Sequence, residues 1–319
     1  MRLLIFDLKI SANFVCKNRN QVMDILKNHW INLRVADLQL VIESENHPIS
    51  LASLPCHHKF LISHNFQSGQ SEGIDNRLIL KLIDRSGYNI PDEKELLCSN
   101  GIWQLWMDKV GNLCFTQPKQ IPQRWVLIDP EFQTGEILID FSLVGQQGFY
   151  PLEFIDIVVF SNWLTRFGDL ILHASGIRVN GSGYCFLGDS GAGKSTLIED
   201  IANEPGVDVL GEDQVILRYQ NNRFMIHGTP WHERVDCCSN IGVPVKKIFI
   251  LDRSAQQVLK ALSGFEGVVH ILRTAFIPLY LHGAIRKVLN RLSLVAEEIP
   301  FFSLAYTRGS DILSVIKDA

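Results

Sequence analysis

Short apolar stretches alternate with polar turns through the first half of the chain. Residues 3–14 alternate apolar and polar positions, which is typical of a half-buried strand, whereas residues 20–30 carry apolar positions at a helical period. Another strand is predicted at residues 35–42. Further strands, separated by turn-forming residues, are predicted at residues 102–108, 113–116, 124–128 and 136–141. The pattern predicts a small α+β domain over residues 1–148.

The pattern changes near residue 149, where apolar runs and glycine-containing turns follow one another. Pro151 suits the first turn of a helix at residues 154–164. Asn180-Gly181 separates two apolar runs and is a strong signal for a β-hairpin. We therefore predict an α/β domain over residues 149–319. Its strands are predicted at residues 170–179, 184–187, 207–210, 215–219, 223–227, 247–251 and 301–306, and its later helices at residues 194–203, 255–262 and 279–296.

A glycine-rich loop lies between a predicted strand and a predicted helix. It reads Gly188-Asp189-Ser190-Gly191-Ala192-Gly193-Lys194-Ser195-Thr196. Consecutive backbone N–H groups can surround a phosphate chain only where side chains do not obstruct them, which explains the three glycines. The following helix directs its positive end at the phosphates, while Lys194 would reach the β- and γ-phosphates and Ser195 would bind Mg²⁺. The loop in this context predicts a nucleotide-binding site that also binds Mg²⁺.

Two adjacent acids follow the strand predicted at residues 207–210. Phosphoryl-transfer sites need an acidic group at a strand end to hold the metal or its water. Glu212 and Asp213 are the candidates, and we expect their strand to lie beside the strand that leads into the loop. One acid could bind the metal while the other accepts a proton from a substrate hydroxyl. The sequence leaves open which acid does which, and a solvated turn is the alternative.

Two histidine-containing segments are further candidates. His173 lies in the strand before the loop, where a lone histidine is more often a packed residue than a functional one. Residues 227–233 form an unusual polar and aromatic segment after a strand. Loops of this kind often carry function, although a plain structural turn is equally compatible with the sequence.

Composition and charge narrow the choice of partners and location. The chain has 319 residues, of which 46% are hydrophobic and 20% are charged, and this is ordinary for a globular protein. Its net charge of −4 gives no reason to expect nucleic acid or an anionic membrane as a partner. The apolar runs are shorter than the roughly 18 residues of a membrane span, and the N-terminus lacks the features of a signal peptide. We expect a cytoplasmic protein.

Three short segments in this order resemble the catalytic domain of the HPr kinase/phosphorylase family. They are Leu172-His173-Ala174-Ser175-Gly176, the glycine-rich loop, and Leu210-Gly211-Glu212-Asp213. The resemblance covers roughly residues 150–252. The segment after the acids, His227-Gly228-Thr229-Pro230-Trp231, is similar to that of divergent relatives linked to peptide tailoring, including lasso-peptide kinases.

The resemblance implies the kinase fold shared with phosphoenolpyruvate carboxykinase. It implies transfer of a phosphoryl group from ATP to a serine hydroxyl, with His173 and Lys194 in the active site. Ser195, Glu212 and Asp213 would serve the metal. Glu212 stands where the family has its first aspartate, and Asp213 matches the second.

The expected function is therefore an ATP- and Mg²⁺-dependent serine kinase acting on a peptide or protein, with residues 1–148 available for acceptor recognition. The alternatives are a nucleotide-binding sensor without transferase activity and a kinase of free serine or a similar metabolite. Homo-oligomerisation is left open.

Overall fold

The computed structural model divides the chain into two compact units. It describes residues 29–44, 49–62, 76–85, 94–99, 102–119, 123–144, 148–153, 155–232, 237–252 and 258–319. The N-terminal unit extends to Val159 and the C-terminal unit begins at Phe160, so the division lies within one helix. The strand predicted at residues 3–14 and nearly all of the helix predicted at residues 20–30 lie outside the described residues. The predicted domain limits, 1–148 and 149–319, remain a prediction.

The described part of the N-terminal unit contains a sheet of eight strands in the order β1-β2-β3-β8-β7-β6-β5-β4. Its strands are β1 (Trp30–Val35), β2 (Leu38–Glu43), β3 (Arg77–Asp84), β4 (Lys94–Ser99), β5 (Gln104–Asp108), β6 (Leu113–Thr116), β7 (Arg124–Ile128) and β8 (Thr134–Ile139). β3 pairs in parallel with β2 and β8, and the other neighbours are antiparallel. The four strands predicted between residues 102 and 141 are confirmed as β5 to β8.

The strand predicted at residues 35–42 is confirmed over residues 38–42 as β2, but it does not begin at residue 35 as one continuous strand. A two-residue turn at Ala36 and Asp37 divides this region into the antiparallel hairpin of β1 and β2. Both residues have positive φ values, 50° and 62°. Turns of this hand match the twist of a β-hairpin, but Ala36 gives no signal for one in the sequence.

The described part of the C-terminal unit is a mixed α/β layer structure around a sheet of nine strands. Its strands are β9 (Leu170–Val179), β10 (Ser182–Leu187), β11 (Val207–Gly211), β12 (Gln214–Gln220), β13 (Arg223–Gly228), β14 (Gly242–Asp252), β15 (Val258–Leu262), β16 (Ala275–Phe276) and β17 (Phe301–Ala305). Its helices are α1 (Asp156–Thr165, which begins before the division between units), α2 (Lys194–Ile201), α3 (Gly264–Thr274), α4 (His282–Glu298) and α5 (Ile312–Asp318). No helix among the described residues is long and apolar enough to cross a membrane.

Alternating side chains of the central strands pack into two hydrophobic cores. In β10, Tyr184 and Phe186 join α2 and α5 in one core, whereas Cys185 and Leu187 join α3 and α4 in the other. Successive residues of a strand point to opposite faces of the sheet, so a run that is apolar throughout indicates helices on both sides. The predicted apolar run at residues 184–187 is such a strand.

The strand β9 organises the sheet around the glycine-rich loop. It pairs antiparallel with β10 along residues 174–179, with β11 along its C-terminal part, and with β12 along its N-terminal part. The expectation that β11 lies beside the loop-bearing β10 is therefore wrong, because β9 separates them. The parallel neighbour of β10 is β14.

Two further features of this unit bear on the sequence predictions. The β12–β13 hairpin is confirmed and turns at Asn221 and Asn222, which are exposed and have φ values of 51° and 59°. The helix predicted at residues 255–262 is wrong where the chain is described, because Val258–Leu262 is the strand β15, paired with β17. The helix α3 follows it and was not predicted, although Ser263 and Glu266 form a capping box at its start.

Candidate functional site

The glycine-rich loop joins the end of β10 to the start of α2. Gly191 and Gly193 have φ values of 78° and 100°, a region that favours glycine. A Cβ atom on Gly188 would lie 2.8 Å from the Cβ of Ala192, so the close approach of these two residues requires glycine there. Ser190 and Gly191 are exposed. The sequence thus folds locally into a strand, a tight loop and a helix, which is the arrangement that a phosphate cradle needs.

Lys194 is the first residue of α2, and its side chain turns back into the loop. Its Nζ donates hydrogen bonds to the carbonyl oxygens of Gly188, at 2.7 Å, and Asp189, at 3.2 Å. The residue is only 6% exposed, and this burial lowers the pKa of its ammonium group. The carboxylates of Asp213 and Asp189 act in the opposite direction on the same pKa. Lys194 is therefore a largely buried cation near two acids from different segments. The adjacent Ser195 is exposed.

The two predicted acids occupy the short turn between β11 and β12, and this turn is fixed to β9. The carbonyl oxygen of Asp213 accepts a hydrogen bond from the N–H of Ala174 at 3.0 Å. The hydroxyl of Ser175 donates to the carbonyl oxygen of Glu212. Because successive residues of β9 hold successive carbonyl groups of the turn, the backbone of both acids has a defined position.

The side chain of Asp213 faces the predicted histidine of β9. Its Oδ1 lies 3.3 Å from Nδ1 of His173, and each side chain is about one-third exposed, at 34% and 33% respectively. Burial lowers the pKa of His173, while the Asp213 carboxylate raises it and the Lys194 cation lowers it. The same carboxylate thus influences both His173 and Lys194. The start of α2, His173 and Asp213 therefore lie close together.

Glu212 lies beside Asp213 in the chain and its side chain is half-exposed. Among the described residues there is no group of three or more His, Cys, Asp or Glu side chains placed to hold a metal ion. Magnesium in phosphate-handling sites is usually held by one or two carboxylates together with substrate phosphates and water. The predicted set of Ser195, Glu212 and Asp213 contains two carboxylates and a hydroxyl, so its chemistry fits that mode.

The segment after β13 packs against the turn that carries Glu212 and Asp213, called here the acid turn. His232 is 4% exposed, and its Nδ1 lies 3.3 Å from the backbone nitrogen of Asp213. Burial lowers the pKa of His232 to about 3. The segment at residues 227–233 is unusual in the sequence, but its pattern predicts no specific role for His232.

His270 of α3 is a residue that the sequence analysis missed altogether. Burial and the nearby Arg273 lower its pKa, whereas the carboxylates of Asp189 and Glu266 raise it. The Asp189 carboxylate is the loop residue that affects this pKa. The capping box of α3 was the available signal, and it predicts a helix but not its position.

Comparisons with known proteins give little further information. The sequence matches no protein-family model, and it matches no curated protein. Among solved structures, the Hpr(Ser) kinase/phosphatase from Coxiella burnetii is a weak neighbour, with 14% sequence identity and a TM-score of 0.26. The similarity covers 46% of this chain and 86% of that chain. At this TM-score the two folds are not shown to be the same.

Proposed function

We propose that this chain is an ATP- and Mg²⁺-dependent kinase that transfers the γ-phosphoryl group to a serine hydroxyl of a peptide or protein. The observation that carries the proposal is the convergence of Lys194, Asp213 and His173. A buried cation at the start of a helix, a carboxylate from a strand turn and a histidine from the intervening strand lie within electrostatic reach of one another.

The loop is suited to binding the phosphates of ATP. Backbone N–H groups within residues 190–195 and the N-terminal end of α2 would hold them. Lys194 would exchange its hydrogen bonds with Gly188 and Asp189 for phosphate oxygens. Ser195 and Glu212 would hold Mg²⁺, which leaves the carboxylate of Asp213 for the acceptor. When bound, Mg²⁺ supplies neutralisation of charge on the transferred group.

Asp213 is the group that we assign to the acceptor proton. In the reaction, the serine oxygen forms a bond to the γ-phosphorus, the bond from that phosphorus to the β–γ bridging oxygen breaks, and ADP leaves. The hydroxyl proton passes to the carboxylate of Asp213. His173 lies against this carboxylate at 3.3 Å and restricts its orientation. Lys194 offsets negative charge on the phosphates.

The acceptor is proposed to be a peptide or protein, recognised by the N-terminal residues 1–148, in the cytoplasm. The choice of a peptide or protein acceptor rests on the division of the chain into two units. The C-terminal unit contains all the residues proposed for the site, so the other unit is available for recognition. A kinase of free serine or a similar metabolite would not need an additional unit of this size.

Transfer of label from γ-labelled ATP tests the proposal. The full chain with Mg²⁺ is supplied with serine-containing peptides encoded beside its gene and, separately, with free serine. We expect label on a peptide serine, its loss in Lys194→Ala, and its retention in the matched variant Lys246→Ala, since Lys246 is exposed on β14. Binding of ATP without transfer to any acceptor would instead indicate a sensor, and transfer only to free serine would indicate a metabolite kinase.

A further inference from the structure

A buried hydrogen-bonded chain connects the segment after β13 with the acid turn. The backbone N–H of Asp213 donates to Nδ1 of His232 at 3.3 Å. The other ring nitrogen, Nε2, lies 3.1 Å from the hydroxyl oxygen of Thr229. That hydroxyl donates to the carbonyl oxygen of Gln214 at 2.9 Å. The imidazole and the threonine therefore link the backbone N–H of Asp213 to the backbone carbonyl of the next residue, Gln214.

These contacts determine the state of the imidazole ring. Nδ1 accepts a hydrogen bond from a backbone N–H, so it carries no proton. The Thr229 hydroxyl donates its hydrogen to the carbonyl oxygen of Gln214, so its oxygen accepts a hydrogen bond from the N–H at Nε2 of His232. The ring is therefore the neutral tautomer protonated at Nε2, and each polar atom in the chain has one defined role.

The packing around His232 allows the ring little freedom. A Cβ atom on Gly211 would lie 2.8 Å from Cε1 and 2.9 Å from Nε2 of the ring, so the imidazole is in contact with the backbone at the end of β11. The adjacent Trp231 packs edge-on against Phe160, with ring centroids 5.3 Å apart. Thr229 is fully buried. The ring thus contacts the backbone at the end of β11 and the buried hydroxyl of Thr229.

We propose that His232 is a positioning residue that fixes the backbone of Asp213, and thereby aims its carboxylate at the reacting hydroxyl. The carbonyl oxygen of Asp213 is bonded to Ala174 and its N–H to His232. With both backbone groups held, the side chain is left to face His173. The inference rests on the proposed kinase function, and it adds a specific role for the segment that contains His232.

The proposal explains why a histidine is suited to this position. An aliphatic side chain of similar size would fill the space but leave the N–H of Asp213 and the hydroxyl of Thr229 without these partners. An asparagine has a carbonyl oxygen close to where Nδ1 lies and can accept the same N–H. Comparison of His232→Leu with His232→Asn therefore distinguishes the effect of losing the hydrogen bond from the effect of side-chain volume.

The test measures transfer kinetics and amide exchange in full-length wild type, His232→Leu and His232→Asn. For His232→Leu we expect kcat to fall about 100-fold, the scale for a displacement of about 1 Å in a reacting group, with KM for ATP unchanged because the loop is untouched. We expect His232→Asn to recover most of kcat. The amide of Asp213 should exchange with solvent slowly in wild type and His232→Asn, and faster in His232→Leu.

Three results would overturn the inference: full kcat in His232→Leu, equal losses in His232→Leu and His232→Asn, or a parallel loss of ATP binding. Should His232→Leu fail to fold, Thr229→Val removes only the hydroxyl, and a normal kcat there would count against the proposal. If wild type transfers no phosphoryl group, the proposed function fails while amide exchange still decides whether His232 holds Asp213. Rapid exchange of that amide in wild type would overturn the inference by itself.

Discussion

His173 of β9 and Asp213 of the turn before β12 face each other, with Nδ1 and Oδ1 3.3 Å apart. They belong to segments 40 positions apart in the numbering, and the antiparallel register of β9 and β12, which pairs His173 with Gln214, brings them together. The carboxylate is therefore placed by strand pairing, and its position follows from the sheet.

Asp213→Asn should reduce transfer far more than Glu212→Gln. Asp213 interacts with both His173 and Lys194, whereas Glu212 is half-exposed beside it. Loss of a general base costs about 100-fold or more in kcat. Initial rates with labelled ATP would check this, with ATP binding measured in parallel. A larger effect from Glu212→Gln would indicate that Glu212 accepts the proton and Asp213 binds the metal.

The buried ion pair of Asp169 and Arg218 should contribute much more to the free energy of unfolding than an exposed ion pair does. Arg218 Nε donates to Asp169 Oδ2 at 2.7 Å, and the two side chains are 5% and 1% exposed. Arg218→Met leaves a buried carboxylate without its cation, which costs about 3–5 kcal/mol in the free energy of unfolding.

The control for this pair is Arg178→Met, because Arg178 makes an ion pair with Asp208 in which both side chains are more than one-third exposed. It should cost less than about 1 kcal/mol. Urea denaturation of both variants checks the contrast, and equal effects would contradict it.

Lys247→Met should lower the local stability of α5. The Nζ of Lys247 donates to the carbonyl oxygens of Ile316 and Lys317, both at 3.1 Å, at the C-terminal end of α5. Losing these bonds should cost about 1–3 kcal/mol, because they are charged and partly buried. Hydrogen exchange over α5 would report it. The neighbouring Lys246 is exposed, so Lys246→Met should leave the exchange of α5 unchanged.

Stability should decrease as the pH falls below about 6.5, and His232 should contribute to this decrease. Burial lowers its pKa from 6.5 in the unfolded chain to about 3 in the folded protein. Between these values the unfolded chain binds a proton that the folded one does not, so the free energy of unfolding falls by up to about 1.4 kcal/mol per pH unit on acidification.

Urea denaturation at pH 7 and pH 5 of wild type and His232→Asn measures this contribution. The variant lacks the titrating ring, so its stability should depend less on pH. His58→Asn, at an exposed histidine, is the control and should behave like wild type. An identical pH dependence in wild type and His232→Asn would contradict the expected pKa.

The sequence predicted the local parts of the site better than the long-range ones. The strand, loop and helix around Lys194 depend on neighbouring residues, and they form where the glycines predict them. The place of β11 depends on pairing between distant strands, which periodicity does not encode, and its predicted neighbour was wrong. His232 reaches Asp213 only because β12 and β13 form a hairpin that returns the chain to the acid turn.

The errors outside the site have a similar origin. Residues 258–262 carry apolar positions that fit a helix, but pairing with β17 makes them a strand. The strength of such pairing depends on context far more than helix propensity does. The turn at Ala36 was missed because its positive φ is imposed by the hairpin around it.

The exposed turn at Asn221 and Asn222 is a suitable site for inserting a segment into the protein. It lies at the far end of the seven-residue strand β12 from the acid turn, a distance of about 20 Å for an extended strand. Exposed hairpin tips tolerate inserted segments well. A fluorescent domain or affinity tag placed between these two asparagines would label the protein while leaving the glycine-rich loop and the two carboxylates undisturbed.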